Sequence, residues 1–231
     1  EVAFNACRTL ATADNVASHL KNMELLNEGM AGVVHSKELE IARAVPLDGL
    51  PDDPEAGVMM WYGMVNAAVT AGLRAKGEDT PDLNAAAMEH PLEAVSFLFP
   101  HYFLLTFFSS MSSYRIRPLG PERCLLELWS LTQFPEGQEP VPPSEPTMLP
   151  YDSTDFPKIP QQDYSNIPIQ QKGLHSEGFE VMRLAKDVEG LISNYQQLID
   201  GFIAGKDKAK LAAANAALGS NFDGKIRHLG L

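Results

Sequence analysis

The hydrophobic period of this chain changes twice, from helical to alternating and back to helical. That order restricts it to helices, then strands, then helices, the pattern of an α+β fold. From Thr12 to Val34, apolar residues recur at Val16, Leu20, Met23, Leu26 and Met30, a near-helical stripe. Asp53-Pro54-Glu55 reads as a helix start, with Asp as the N-cap, Pro at the first helical position and Glu in the first turn. The helix it opens is expected to reach about Lys76 and stop at Gly77, where a glycine can take a left-handed cap. Its expected buried stripe is Met60, Met64, Ala67/Ala68 and Ala71. A shorter helix is predicted from Asp82 to Met88, ended by His90-Pro91.

Residues 92–134 are rich in Phe, Tyr, Leu, Ile and Ser and alternate with period 2. Tyr114 and Ile116 face one way, Arg115 and Arg117 the other. Pro118 to Arg123 is a turn, and residues 124–132 form the next strand, so the two strands make an antiparallel hairpin. Residues 135–160 hold eight prolines and little periodicity, which reads as a long connection. Helices are expected again over 161–218: the 161–174 segment, one from Asp187 to about Ala204, and a weakly packed Ala-rich helix from Lys206 to Leu218. Residues 219–231 read as a frayed tail. The whole chain, 1–231, is read as one domain, with residues 1–91 as a helical N-terminal part.

The formal net charge of −12 and pI near 4.9 argue against nucleic acid and anionic membrane surfaces as partners. Cys7 and Cys124 make no disulfide framework, and a reduced cytoplasmic setting is the simplest expectation. No apolar run of the sequence is expected to reach the roughly 18 residues that span a bilayer. The first residues, Glu-Val-Ala-Phe-Asn, carry neither an initiator Met nor a signal-peptide pattern and read as a mid-chain start.

Residues 161–174, Gln-Gln-Asp-Tyr-Ser-Asn-Ile-Pro-Ile-Gln-Gln-Lys-Gly-Leu, place Asp163, Ile167, Gln170/Gln171 and Leu174 on one helical face. A carboxylate on such a face, if buried, must be paired, hydrogen-bonded or metal-bound. The segment resembles the stretch that carries the carboxylate iron ligand in the large (alpha) subunit of Rieske-type aromatic-ring-hydroxylating oxygenases. Two further pieces, in the family's order, resemble the same catalytic domain. One is Phe97-Leu-Phe-Pro-His-Tyr-Phe103; the other is Ser113-Tyr-Arg-Ile-Arg-Pro-Leu-Gly-Pro-Glu122 with Leu126-Glu-Leu-Trp-Ser-Leu-Thr132 and Phe134-Pro-Glu-Gly137. The helix containing Ser193-Asn-Tyr-Gln-Gln-Leu-Ile-Asp200 follows, so the likeness covers residues ~92–205, about half the chain.

What the resemblance implies is specific. The fold would be a helix-grip: a curved antiparallel sheet with a long C-terminal helix across it and a helical N-terminal insert. Asp163 would be one leg of a 2-His-1-carboxylate triad for mononuclear non-heme Fe(II). The reaction would be O₂-dependent hydroxylation of an aromatic or related apolar substrate, of the kind used in aromatic hydrocarbon catabolism. Electrons would come from NAD(P)H through a reductase and ferredoxin and a [2Fe–2S] Rieske cluster, and the full protein would be a homotrimer or an alpha–beta oligomer. The six histidines, at 19, 35, 90, 101, 175 and 228, include no pair four or five residues apart, and no Cys-x-His or Cys-x-x-His occurs. The two His ligands and the Rieske cluster would then lie upstream, and this chain alone would be inactive and bind iron weakly or not at all. The alternative is a non-catalytic module of the same fold that binds an apolar small molecule.

Phe97, Phe99, Phe103, Phe107, Phe108, Met111 and Trp129 are candidates to line a substrate cavity, since such pockets are mostly apolar. Ordinary core packing needs aromatics in the same places. Gln170 and Gln171 could orient a ligand or substrate, or be plain polar helix residues. His101 reads as a hydrogen-bonded core histidine and His175 as a surface residue. Ser109, Ser110, Ser112 and Ser113 lack a Gly-x-Ser-x-Gly elbow and read as strand and turn residues. Arg115 and Arg117 are expected to be exposed, with a carboxylate-binding role as the other possibility.

Overall fold

The computed structural model describes residues 11–30, 32–89, 95–219 and 225–231. Among these residues the order is α1 (Thr12–Gly29), α2 (Ser36–Ala44), α3 (Pro54–Ala75), α4 (Leu83–Glu89), β1 (Ser96–Leu98), β2 (Tyr102–Phe107), β3 (Ser110–Gly120), β4 (Arg123–Thr132), α5 (Lys158–Leu174), α6 (Gly190–Ile203) and α7 (Lys208–Gly219). The four strands form one antiparallel sheet in sequence order, an α+β architecture as expected. β1 pairs with β2 through Ser96 with Leu104, Phe97 with Phe103 and Leu98 with Tyr102. β3 and β4 are joined by Pro121 and Glu122 alone, a connection that only an antiparallel hairpin can make.

The chain divides into two compact units. The first gathers the described residues of Glu1–Ala94 with Leu105–Ser113 and Leu128–Ser165; the second comprises Val95–Leu104, Tyr114–Glu127 and Asn166–Leu231.

Unit one is built on α3, which packs with α1, α2 and α4. Its start matches the expectation: the Asp53 carboxylate accepts the Ala56 N–H at 2.8 Å and Pro54 opens the helix. It ends at Lys76, and Gly77 takes φ +89°. The buried face is not the Met60/Met64/Ala67/Ala71 stripe. Val58, Trp61, Val65, Val69 and Leu73 are inside, while Met60, Ala67 and Ala71 are exposed. These five residues hold the larger aromatic and β-branched surface, so turning them inward removes more apolar area from water. α1 contributes Val16 and Met23 to this core, with Leu20, Leu26 and Met30 partly buried against it. By length and composition alone α3 could cross a bilayer, against the expectation that no run would reach that length. Its buried stripe is that of a core helix.

Unit two has a smaller core of Leu198, Leu211, Ala214 and Leu218, where α6 meets α7. The Ala-rich α7 therefore supplies three of the four buried core residues and is not weakly packed. The C-terminal residues 225–231 are also more than a frayed tail. Asn194 donates to the Lys225 carbonyl at 3.0 Å and accepts the Arg227 N–H at 2.8 Å, and Gln197 donates to the Arg227 carbonyl at 2.9 Å. Leu229 and Leu231 then pack on the core.

Candidate functional site

The aromatic candidates separate by unit. In unit two, Phe97 of β1 lies 4.9 Å from the ring of Phe103 on β2, its cross-strand partner. Phe97 and Phe99 both meet Tyr195 of α6, at 5.7 and 5.8 Å, and Phe99 stacks on Phe202 at 5.4 Å and 17°. These five rings lie at the separations where edge-to-face and offset contacts are favourable. Phe97, Phe99 and Phe103 are half-buried, so the cluster keeps accessible aromatic surface. In unit one, Phe107 packs edge-on to Phe108 at 4.6 Å and both rest against the α1–α3 core. That is a core-packing environment. Trp129 is 53% exposed on β4.

Asp163 stands on α5 beside Tyr164, and the helix sends Tyr164 inward. Tyr164 and Pro160 are buried, and the Tyr164 ring meets Phe156 edge-on at 5.0 Å. Asp163, Ile167, Gln170 and Leu174 fall on the outward side and are all exposed. The expected face exists as a period, but the carboxylate does not point into the core of its unit, because the larger ring one residue on takes the inward position. Among the described residues no three His, Cys, Asp or Glu side chains converge on a point where a metal could sit.

The C-terminal end of α5 carries two contacts the sequence did not disclose. Gln171 Nε2 donates to Glu122 Oε2 at 2.8 Å, and His175 Nε2 lies 3.0 Å from the same oxygen. Glu122 sits in the β3–β4 turn, so the pair ties that turn to the helix end. The Gln171 bond, then the His175 bond, hold the Glu122 carboxyl below its usual range. Gln170 points elsewhere, into an open groove of ≈ 490 Å³.

The strand arginines are engaged. Arg117 pairs with Glu127 at 2.7 Å and Arg115 with the same carboxylate at 3.7 Å, both half exposed. Arg115 Nε also donates to His101 Nε2 at 3.4 Å, which makes His101 a hydrogen-bonded strand-turn residue.

Unit one holds the most heavily hydrogen-bonded carboxylate among the described residues. Glu38 is fully buried in α2. It accepts from Ser109 N at 2.7 Å, Ser109 Oγ at 2.6 Å, Ser110 Oγ at 2.6 Å and His35 N at 3.0 Å. Four donors satisfy a charge that would otherwise be costly to bury. The serines are thus turn residues with an anchoring role rather than nucleophiles. Beside it Lys37 binds both Glu78 oxygens at 2.8 Å, donates to the Gln133 carbonyl, and lies 4.7 Å over the Phe134 ring. His35 as N-cap replaces the Ser or Thr of the usual capping-box signature, so the Glu38 box was invisible to a motif reading.

Residues 33–205 match the family model described as ring hydroxylating alpha subunit (catalytic domain). No curated protein and no solved structure matches the chain.

Proposed function

The chain belongs to the ring-hydroxylating alpha-subunit catalytic-domain family, and we propose that it works within an oxygenase that adds oxygen from O₂ to an aromatic or related apolar substrate. The observation that carries this reading is the family match, which takes in the whole sheet, α5 with Asp163, and α6. The half-buried rings of Phe97, Phe99 and Phe103 support an apolar substrate. They offer flat aromatic surface and no charge, and stripping an ionic group of water against them would be costly.

Asp163 is proposed as the carboxylate ligand of a mononuclear Fe(II), whose chemistry when bound is O₂ activation. The residues described here do not fit that ion by themselves. Asp163 is exposed, and it belongs to no group of three His, Cys, Asp or Glu ligands among them. In this reading two imidazoles and a [2Fe–2S] Rieske cluster come from outside these residues, and NAD(P)H-derived electrons arrive through a reductase and ferredoxin. A homotrimeric or alpha–beta assembly, a cytoplasmic setting and a helix-grip fold belong to the same proposal. The packing of β1 aromatics on α6 supports the last of these. The exposure of Asp163 favours the second reading, an apolar-ligand module without catalysis.

The test is the longest natural polypeptide containing this chain, purified with its reductase. Oxygen uptake coupled to hydroxylated product on neutral aromatics is expected, with iron and acid-labile sulfide present. Asp163→Ala should remove turnover and mononuclear iron while leaving the sulfide. Full iron content in Asp163→Ala would refute the ligand assignment, and uptake coupled only to highly charged substrates would refute the substrate class.

A further inference from the structure

The groove at the C-terminal end of α5 is distinct from the aromatic cluster and is not used by the reading above. It lies wholly within unit two and is lined by Gln170, Gly173 and Leu174 of α5, by Phe179, Met182, Arg183 and Leu184 of the following loop, and by Glu189 and Ile192 at the start of α6. Its volume, ≈ 490 Å³, falls in the range of small-molecule sites. Leu174, Phe179, Met182 and Ile192 are each more than 40% exposed, four large apolar side chains on one concave surface. Isolated exposed apolar residues are ordinary, but a cluster around a concavity marks a place where something binds.

The polar groups set the chemistry. Arg115 and Arg117 are both committed to Glu127. Arg183 makes no hydrogen bond or ion pair with any described residue, so its guanidinium stands uncompensated at the groove wall. Glu189, the acid in the lining, forms no ion pair with it: its Oε2 turns to the Ala185 N–H at 2.5 Å. Gln170 adds an amide to the lining. The loop carrying Arg183 is held to α6 by Gln196, whose Nε2 lies 3.7 Å from the Met182 sulfur.

An apolar trough, mainly aliphatic, with one unpaired arginine is the complement of a chain that is greasy along its length and anionic at one end. We propose that this groove binds a medium-chain monocarboxylate, its alkyl body on Leu174, Phe179, Met182 and Ile192 and its carboxylate on Arg183. A guanidinium offers a carboxylate two parallel N–H donors, which an amide or alcohol headgroup cannot exploit equally.

The test needs neither iron nor O₂, so it stands apart from the oxygenase reading. Octanoate is titrated into the full chain and followed by shifts of the groove resonances, with octanamide as the neutral control. Saturable octanoate binding is expected, about tenfold tighter than octanamide, the scale of one charge-assisted hydrogen-bonded pair. Arg183→Gln, an exposed change that leaves the fold intact, should erase that preference. Ile192→Ser should weaken both ligands together, and Phe99→Ala should change neither. Equal affinity for acid and amide, a preference that survives Arg183→Gln, absence of saturable binding, or binding that moves with Phe99→Ala would each overturn the proposal.

Discussion

The two units hold themselves together by different means. Unit one packs Val58, Trp61, Val65, Val69 and Leu73 of α3 against Val16 and Met23 of α1, all essentially inaccessible, and adds two buried charges with their partners. Among the described residues unit two has four buried core side chains, and it leans on side-chain amides, Asn194 and Gln197, that bind the backbone of residues 225–231. The large exposed apolar side chains of α5, the following loop and α6 lie in unit two, Ile167, Ile169, Leu174, Phe179, Met182, Ile192 and Ile203 among them. Unit one exposes large apolar side chains too, Met59, Met88 and Trp129 among them, so the units differ in how much they bury and not in whether they show apolar surface. Stability is therefore expected to respond more to substitutions in the core of unit one.

The largest effect should come from the centre of unit one. Trp61 is fully buried and its indole N–H finds no hydrogen-bond partner among the described residues. Trp61→Ala should cost about 3–5 kcal/mol through cavity formation, measured by urea unfolding, whereas Trp61→Phe should cost much less because the orphan donor disappears with the ring. A small loss for Trp61→Ala would break the contrast between the units.

Glu38→Ala ranks next. It strands the Ser109 amide and hydroxyl, while the Ser110 hydroxyl keeps the Val33 carbonyl at 3.1 Å and the His35 amide keeps Ser110 Oγ at 3.2 Å. A loss of about 3 kcal/mol is expected, since stranded buried donors each cost about 1–3 kcal/mol and some will find water. Hydrogen exchange should show the β2–β3 turn opening first, and protection unchanged there would remove Glu38 from its anchoring role.

In unit two the corresponding lever is Asn194. Asn194→Ala removes two bonds to the C-terminal segment and should cost about 1–2 kcal/mol, while raising proteolysis within 225–231. If the segment stays protected, Leu229 and Leu231 hold it by packing alone.

The sequence disclosed the elements more fully than it disclosed their facing. Asp53-Pro54 and Gly77 marked both ends of α3 because caps are local chemistry. The β3–β4 hairpin was legible because alternation is also local, but the turn expected over Pro118 to Arg123 narrows to Pro121 and Glu122, the strands running on into its flanks. Which face of α3 goes inside depends on what it meets, and Trp61 decided that against the methionines. The same holds for α5, where Tyr164 rather than Asp163 turned inward. Among the candidate residues, the Phe97–Phe99–Phe103 cluster was readable as a group, but its completion by Tyr195 and Phe202 needed the fold. Glu38, Lys37 and Glu78 were missed altogether, since apart from the local His35 cap their partners lie 41 to 96 residues away along the chain.

The smallest expected effect near neutral pH is a pH dependence seated in unit one, at His19 and Tyr62. The two side chains are 3.1 Å apart, Nδ1 to phenol oxygen, with the rings edge-on. Burial lowers the pKa of His19 from its ordinary value and pushes the Tyr62 phenol up to about 12. On the acid side the unfolded chain binds a proton more readily than folded His19 does. Stability is therefore fully present above the unfolded value of about 6.5 and is lost as pH falls through the folded one. On the alkaline side the folded phenol keeps its proton while the unfolded one loses it near pH 10, so stability falls as pH rises from about 10 to 12. Unfolding free energies across pH should show both slopes. His19→Gln should flatten the acid slope alone, and Tyr62→Phe the alkaline one alone. A slope that survives removal of its own group would place the titration elsewhere, and the core of unit one would then be insensitive to both residues.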